Sequence, residues 1–204
     1  MTSVKIGTGG RMTMQDASPR IQQAENRSDH GRADLGCAGE VSGRPAGESG
    51  PRIMVIGVGN TLLGDDGAGV HVVERLQRGQ WDVPVTFFDG GTLSFSLLEY
   101  IESADRLIIV DAAFLDAPPG TVAVFRNAEL EHFLTNSRRP SVHEVNLLDV
   151  LGAARLRGRL PADYALVAIE PDVIDWSSEP SPAVARGIAE ASERVTELIE
   201  AELP

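Results

Sequence analysis

The sequence predicts an α/β fold: an open, mostly parallel, twisted sheet of five strands, covered by helices on both faces, with one antiparallel edge strand. Three observations predict it. Short runs rich in Val, Ile and Phe alternate along the chain with segments whose apolar residues recur three and four apart, the pattern of strand and helix in alternation. The strand-like runs are almost continuously apolar, as they are when both faces of a sheet are covered. The link Ala117-Pro118-Pro119-Gly120 is too short for a crossover, so the strand after it turns back antiparallel.

Taken in order, the first strand is RIMVIGVG (52–59), followed by a glycine-rich loop and the amphipathic segment VHVVERLQRG (70–79). The second strand, VTFFDGG (85–91), leads to the helical pattern SFSLLEYIES (94–103). A third, RLIIVDA (106–112), precedes the short link, and TVAVFR (121–126) is the edge strand. AELEHFL, which contains His132, reads as a surface helix turn. HEVNLLDVLGAARL (143–156) is a helix, YALVAIEP (164–171) the fifth strand, and the last helix runs from about Ser181 to Glu202. It opens Ser-Pro, a capping residue followed by proline at the first helical position.

Residues 1–50 have no such period; they mix Gly, Ser, Pro and Arg with scattered apolar residues and read as a disordered tail preceding one domain, 51–204. The formal net charge of −12 argues against nucleic acid and against an anionic membrane surface, since both reward a basic footprint. No run approaches the length of a membrane-spanning helix, and no signal-peptide pattern opens the sequence. Cys37 is the single cysteine, so no internal disulfide forms and a reducing, cytoplasmic setting is expected. It lies in the tail, without the structured electropositive surround that a reactive thiol needs.

Chemistry is sought beyond the carboxyl ends of the strands, where such sheets bind ligands. The loop GVGNTLLGDDGAG, Gly57 to Gly69, has the shape of a phosphate loop but not its chemistry. Counted from Gly57, the third glycine of a dinucleotide fingerprint falls on Leu62; no Gly-Lys-Ser/Thr follows; and an anion would meet Asp65 and Asp66. A cation suits it better. Asp66 at a helix mouth, Asp111 at the end of the third strand and His143 at the front of a helix offer two oxygens and one imidazole, a set compatible with nickel, zinc or iron but incomplete. Singly, each has an ordinary explanation: Asp65 or Asp66 as a helix cap, Asp111 as a solvated strand end, His143 as a helix-start residue. Capping is the expectation for Asp65. His71 reads as packed or surface, and His30 lies in the tail. No nucleophile elbow, zinc-protease helix or structured cysteine is present.

The ordered set Gly57-x-Gly59-Asn60, Asp65-Asp66-Gly67-x-Gly69, Asp89-Gly90-Gly91-Thr92, Asp111 closing its strand, and Ser141-x-His143-Glu144 resembles the hydrogenase maturation proteases, over about residues 52–203. The resemblance implies a three-layer α/β/α sandwich. It implies an endopeptidase that removes the C-terminal extension of a nickel-iron hydrogenase large-subunit precursor after nickel insertion. Asp66, Asp111 and His143 match the family's metal-contacting positions, the first being glutamate in some members. The metal would be nickel carried by the substrate, recognised when these residues complete its coordination, with no organic cofactor. Asp66 or Asp111 would assist water attack, and Asn60, with backbone N–H groups near Gly67 to Gly69, would stabilise the oxyanion. A monomer is expected. The alternatives are an adaptor that binds the nickel-loaded precursor without cutting it, or a peptidase of the same fold with another substrate. The long tail departs from the family pattern.

Overall fold

The computed structural model describes residues 50–92, 95–137 and 141–201; the expected disordered tail, with His30 and Cys37, lies outside the described residues. Five strands form one sheet in the order β2-β1-β3-β5-β4: β1 Ile53–Val58, β2 Val85–Gly91, β3 Arg106–Ala112, β4 Val122–Arg126 and β5 Asp163–Ile169. The first three and β5 are parallel, while β4 pairs antiparallel with β5 on the edge, Val124 opposite Val167. Five strands in these positions, including the reversed edge, match the sequence pattern.

The central strands β1, β3 and β5 are buried along their whole length, and their alternating side chains feed two cores. Ile53, Val55, Ile108, Val110 and Val167 pack under α1 (Ala68–Leu76) and α5 (Pro182–Glu200). Met54, Ile56, Leu107, Ile109 and Leu166 pack under α2 (Leu98–Ser103), α3 (Ala128–Asn136) and α4 (Val142–Leu156). The result is the three-layer α/β/α sandwich. The AELEHFL segment is more than a turn: Leu130 and Leu134, four apart, bury α3 on the sheet.

Helix α5 opens as its Ser-Pro start implies, with Ser181 Oγ accepting the Val184 N–H at 3.3 Å. At its other end Arg106 Nη1 donates to the carbonyls of Leu198 and Ala201, both at 2.6 Å. Its Nε donates to Asp163 Oδ2 at 2.5 Å, and Arg126 Nη2 donates to Asp163 Oδ1 at 2.8 Å. This buried cluster clamps the amino-terminal edge of the sheet to the last helix.

The opposite edge is organised by glycine. A Cβ on Gly69 would stand 2.1 Å from the Val110 carbonyl oxygen, so only glycine lets α1 settle between β1 and β3. Gly59, at φ 131°, turns the chain out of β1; a Cβ there would sit 1.9 Å from the Asp66 carbonyl oxygen. From β1 the chain crosses to β2 on one side, and then returns to β3 on the other. The carboxyl ends of β1 and β3 therefore flank the point where the strand order reverses.

Candidate functional site

Three acidic or imidazole groups, each predicted from its place in the sequence, come together at this switch point. Asp66 follows β1, within a single 3₁₀ turn Asp65–Gly67. Asp111 is the sixth residue of β3, and His143 the second residue of α4. His143 Nδ1 lies 3.3 Å from Asp111 Oδ1, and its Nε2 lies 3.9 Å from Asp66 Oδ2. With Asp111 ionised, the shorter contact requires the proton on Nδ1.

All three are buried, with 9%, 2% and 6% of the surface of Asp66, Asp111 and His143 exposed. His143 is therefore more than a helix-start residue, and Asp111 is no solvated strand end. The electrostatics follow from this burial. Loss of water pushes the Asp111 carboxyl above its ordinary value, more than the hydrogen bond from His143 lowers it. The same hydrogen bond, helped by the nearby carboxylates, raises His143 above the usual histidine range although burial opposes it.

The aim of His143 is set by a feature that the sequence reading passed over. Ser141 and Glu144 form a capping box: the Glu144 N–H donates to Ser141 Oγ at 3.1 Å, and the Ser141 N–H donates to Glu144 Oε1 at 3.3 Å. The Ser-x-x-Glu spacing was the available signal. With the helix start fixed at both ends of the box, His143 is held against Asp111 of β3.

The neighbouring carboxylates of the glycine loop divide their tasks. Asp66 Oδ2 accepts the Asn60 N–H at 2.9 Å, which closes the loop onto the site. Asp65, expected to cap α1, does not: no side chain caps that helix. Instead its carboxylate accepts N–H groups from Asp172 and Val173, both at 2.9 Å, and from Ser181 at 2.6 Å. It fastens the segment between β5 and α5 to the glycine loop. Glu170 acts similarly on the segment after β3, accepting the Leu115 N–H at 2.5 Å.

Asn60 is at the site by its backbone, and its side-chain Oδ1 accepts the Leu62 N–H at 3.0 Å. Of the backbone donors expected for an oxyanion, the Gly67 N–H goes to the Gly64 carbonyl at 3.2 Å and the Ala68 N–H to the Asp65 carbonyl. Both belong to the turn. The Asp89–Thr92 motif borders the same edge: the Gly59 N–H donates to the Gly91 carbonyl at 2.7 Å, and Asn146 of α4 donates to the Thr92 carbonyl at 3.3 Å. His71 stands apart, 3.6 Å from Glu74 on α1.

Among the described residues no set of three His, Cys, Asp or Glu side chains is arranged to enclose a metal ion as it stands. The imidazole bridges the two carboxylates. A groove of about 1090 Å³ lies elsewhere, beside β4 and α3, lined in part by Leu115, Phe125 and Phe133 and by none of the three. None of the helices in the described residues is long and apolar enough to cross a membrane.

Fold and site together define an α/β/α sandwich whose polar centre is built from two carboxylates and an imidazole. A family model described as hydrogenase maturation protease matches residues 70–198, which include Asp111 and His143. The hydrogenase expression/formation protein HupD of Bradyrhizobium diazoefficiens is 38% identical over 148 residues, covering 71% of this chain and 76% of that protein. The hydrogenase 2 maturation protease of Escherichia coli is 37% identical over 147 residues, 71% of this chain and 88% of the relative. Among solved structures, the hydrogenase maturating endopeptidase HybD from E. coli superposes with a TM-score of 0.65 at 36% identity, covering 72% of this chain and 91% of that one. HybD from Thermococcus kodakarensis gives a TM-score of 0.64 at 28% identity, over 73% and 99% of the two chains. The chain belongs to the hydrogenase maturation protease family, and it is a hydrolase of the endopeptidase class.

Proposed function

We propose that this endopeptidase removes the C-terminal extension of a nickel-iron hydrogenase large-subunit precursor, and that it recognises the nickel already held by that substrate through Asp66, Asp111 and His143. The observation that supports this reading is the buried carboxylate–imidazole–carboxylate cluster at the switch point. Its donors are an imidazole and carboxylate oxygens, which suit a divalent transition metal. Three donors leave coordination positions open, which suits a metal that arrives with ligands of its own.

In this reading the proton on His143 is the gate. Nδ1 keeps its hydrogen bond to Asp111, the arrangement that orients ligating histidines elsewhere, and Nε2, on the Asp66 side, is the nitrogen offered to the substrate's nickel once it is deprotonated. Asp66 or Asp111 takes the proton of the attacking water, and Asn60 Nδ2 donates to the developing oxyanion. The scissile bond is thereby placed beside the metal only when the precursor is loaded.

The test is incubation of the purified protein with nickel-loaded and nickel-free precursor, following loss of the C-terminal peptide by mass spectrometry. Cleavage of the loaded form alone is expected. Equal cleavage of both overturns recognition through nickel, and cleavage of neither overturns the assigned substrate.

A further inference from the structure

The segment between β5 and α5 is tightly held yet displays apolar side chains to water. Val173, Ile174 and Trp176 are 56%, 44% and 79% exposed, and Leu62 of the glycine loop, 57% exposed, belongs to the same surface. Their backbone is far from loose. The Gly64 N–H donates to the Ser177 carbonyl at 2.8 Å, and the Ser177 N–H donates to the Leu62 carbonyl at 3.1 Å. Bridges pair Leu63 with Ser177 and Gly64 with Ile174, and the buried Asp65 carboxylate holds the N–H groups of Asp172 and Val173. Water gains nothing from such an arrangement. A fixed backbone that presents a tryptophan and aliphatic neighbours is what a protein–protein contact requires, because the ordering cost is met before the partner arrives.

Position and charge identify the occupant. The patch is anchored on the same loop that carries Asp66, so whatever binds there is brought to the site. Its rim is acidic, with exposed Asp172, Asp175 and Glu179, on a chain whose formal net charge is −12. A second copy of this chain would bring the same acidic rim against it. We propose that Leu62, Val173, Ile174 and Trp176 form the docking surface for the folded body of the precursor, meeting an apolar patch bordered by Lys and Arg. This rests on the substrate proposed above.

The test uses the full-length chain with Trp81→Phe, which leaves Trp176 as the only tryptophan of the two. Addition of nickel-loaded precursor engineered to lack tryptophan near its nickel site should shift Trp176 emission to the blue. In the wild-type background, Trp176→Ala should raise KM by about tenfold with a far smaller change in kcat, and Trp176→Phe should recover part of the loss. Added salt should raise the wild-type KM by screening the rim. A wild-type enzyme that cleaves the precursor while Trp176→Ala retains its KM overturns the docking surface, as does a wild-type dimer that Trp176→Ala converts to monomer at unchanged KM. If the wild type cleaves nothing but Trp176 emission still shifts, docking stands and the cleavage reading falls.

Discussion

Strand β3 begins with one buried charge cluster and ends in another, and the two are built on opposite principles. At the amino-terminal edge Arg106, Asp163 and Arg126 combine cations with a single carboxylate, at 2.5 and 2.8 Å, and Arg106 Nη1 ends on the carbonyls of Leu198 and Ala201. At the carboxyl edge Asp66, His143 and Asp111 combine carboxylates with a single imidazole, at 3.9 and 3.3 Å. Burial by itself would raise the Asp163 carboxyl, but hydrogen bonds from Arg126 and Arg106 outweigh it and hold the group below the usual carboxylate range. At Asp111 the balance falls the other way, and burial wins. One cluster is closed around its charges; the other sets a single titratable imidazole between its carboxylates. A buried ion pair is weak evidence for stability until its partners are counted.

The comparison breaks most sharply in activity. His143→Ala is expected to lower cleavage of nickel-loaded precursor by about 10³-fold or more, and Asp163→Asn, assayed where it remains folded, by less than about twofold. Because His143 is buried against Asp111, its loss should also cost stability, on the order of 1–3 kcal/mol in a urea titration; protonation of Asp111 limits the damage. A His143→Ala enzyme with normal turnover would remove His143 from the site.

The next effect is on folding. Asp163→Ala leaves two arginines, one of them fully buried, without their carboxylate, and should destabilise the protein by about 3–5 kcal/mol in the same titration. A loss below that of His143→Ala would mean that the amino-terminal cluster is no tighter than the site.

The smallest and most discriminating effect is that of pH. Asp163 titrates lower in the folded state, so its contribution is present above the unfolded value of about 3.9 and is lost as pH falls through the depressed folded value. His143 titrates higher when folded, so its contribution is complete below about 6.5 and is lost as pH rises through the raised value; Asp111, also raised, acts in the same direction. Unfolding free energy measured against pH should therefore have a shallower acid limb in Asp163→Asn and a shallower fall above about 6.5 in His143→Asn. Binding of nickel-loaded precursor should strengthen over the range where that second slope weakens the free enzyme. Binding that is flat from pH 6 to 9 would separate His143 deprotonation from recognition.

The difference between the clusters also separates what was legible in the sequence from what was not. The sheet was legible because burial on both faces leaves continuous apolar runs, and the reversed edge because Ala117 to Gly120 cannot span a crossover. Asp66, Asp111 and His143 could be placed at one edge because each ends or begins an element. Asp65 could not: a carboxylate before a helix looks like a cap, and its partners lie 107 to 116 residues away. Arg106 and Asp163, each opening a buried strand, read as ordinary boundary charges until the register puts them side by side. Burial of His143 and exposure of Trp176 are both tertiary outcomes that no local pattern encodes. The capping box at Ser141 was encoded, at the spacing that defines it.

The Arg106 clamp has a consequence for how the protein is made. Its donors reach carbonyls 92 and 95 residues further along the chain, at Leu198 and Ala201, so it cannot close until the end of α5 has left the ribosome. Residues 66, 111 and 143 have all left the tunnel by then. A nascent chain from which β1, β3 and the start of α4 have emerged therefore carries Asp66, Asp111 and His143 while α5 is still to come, and a chain halted before Ala201 leaves the tunnel lacks both the clasp and the helix that it fastens.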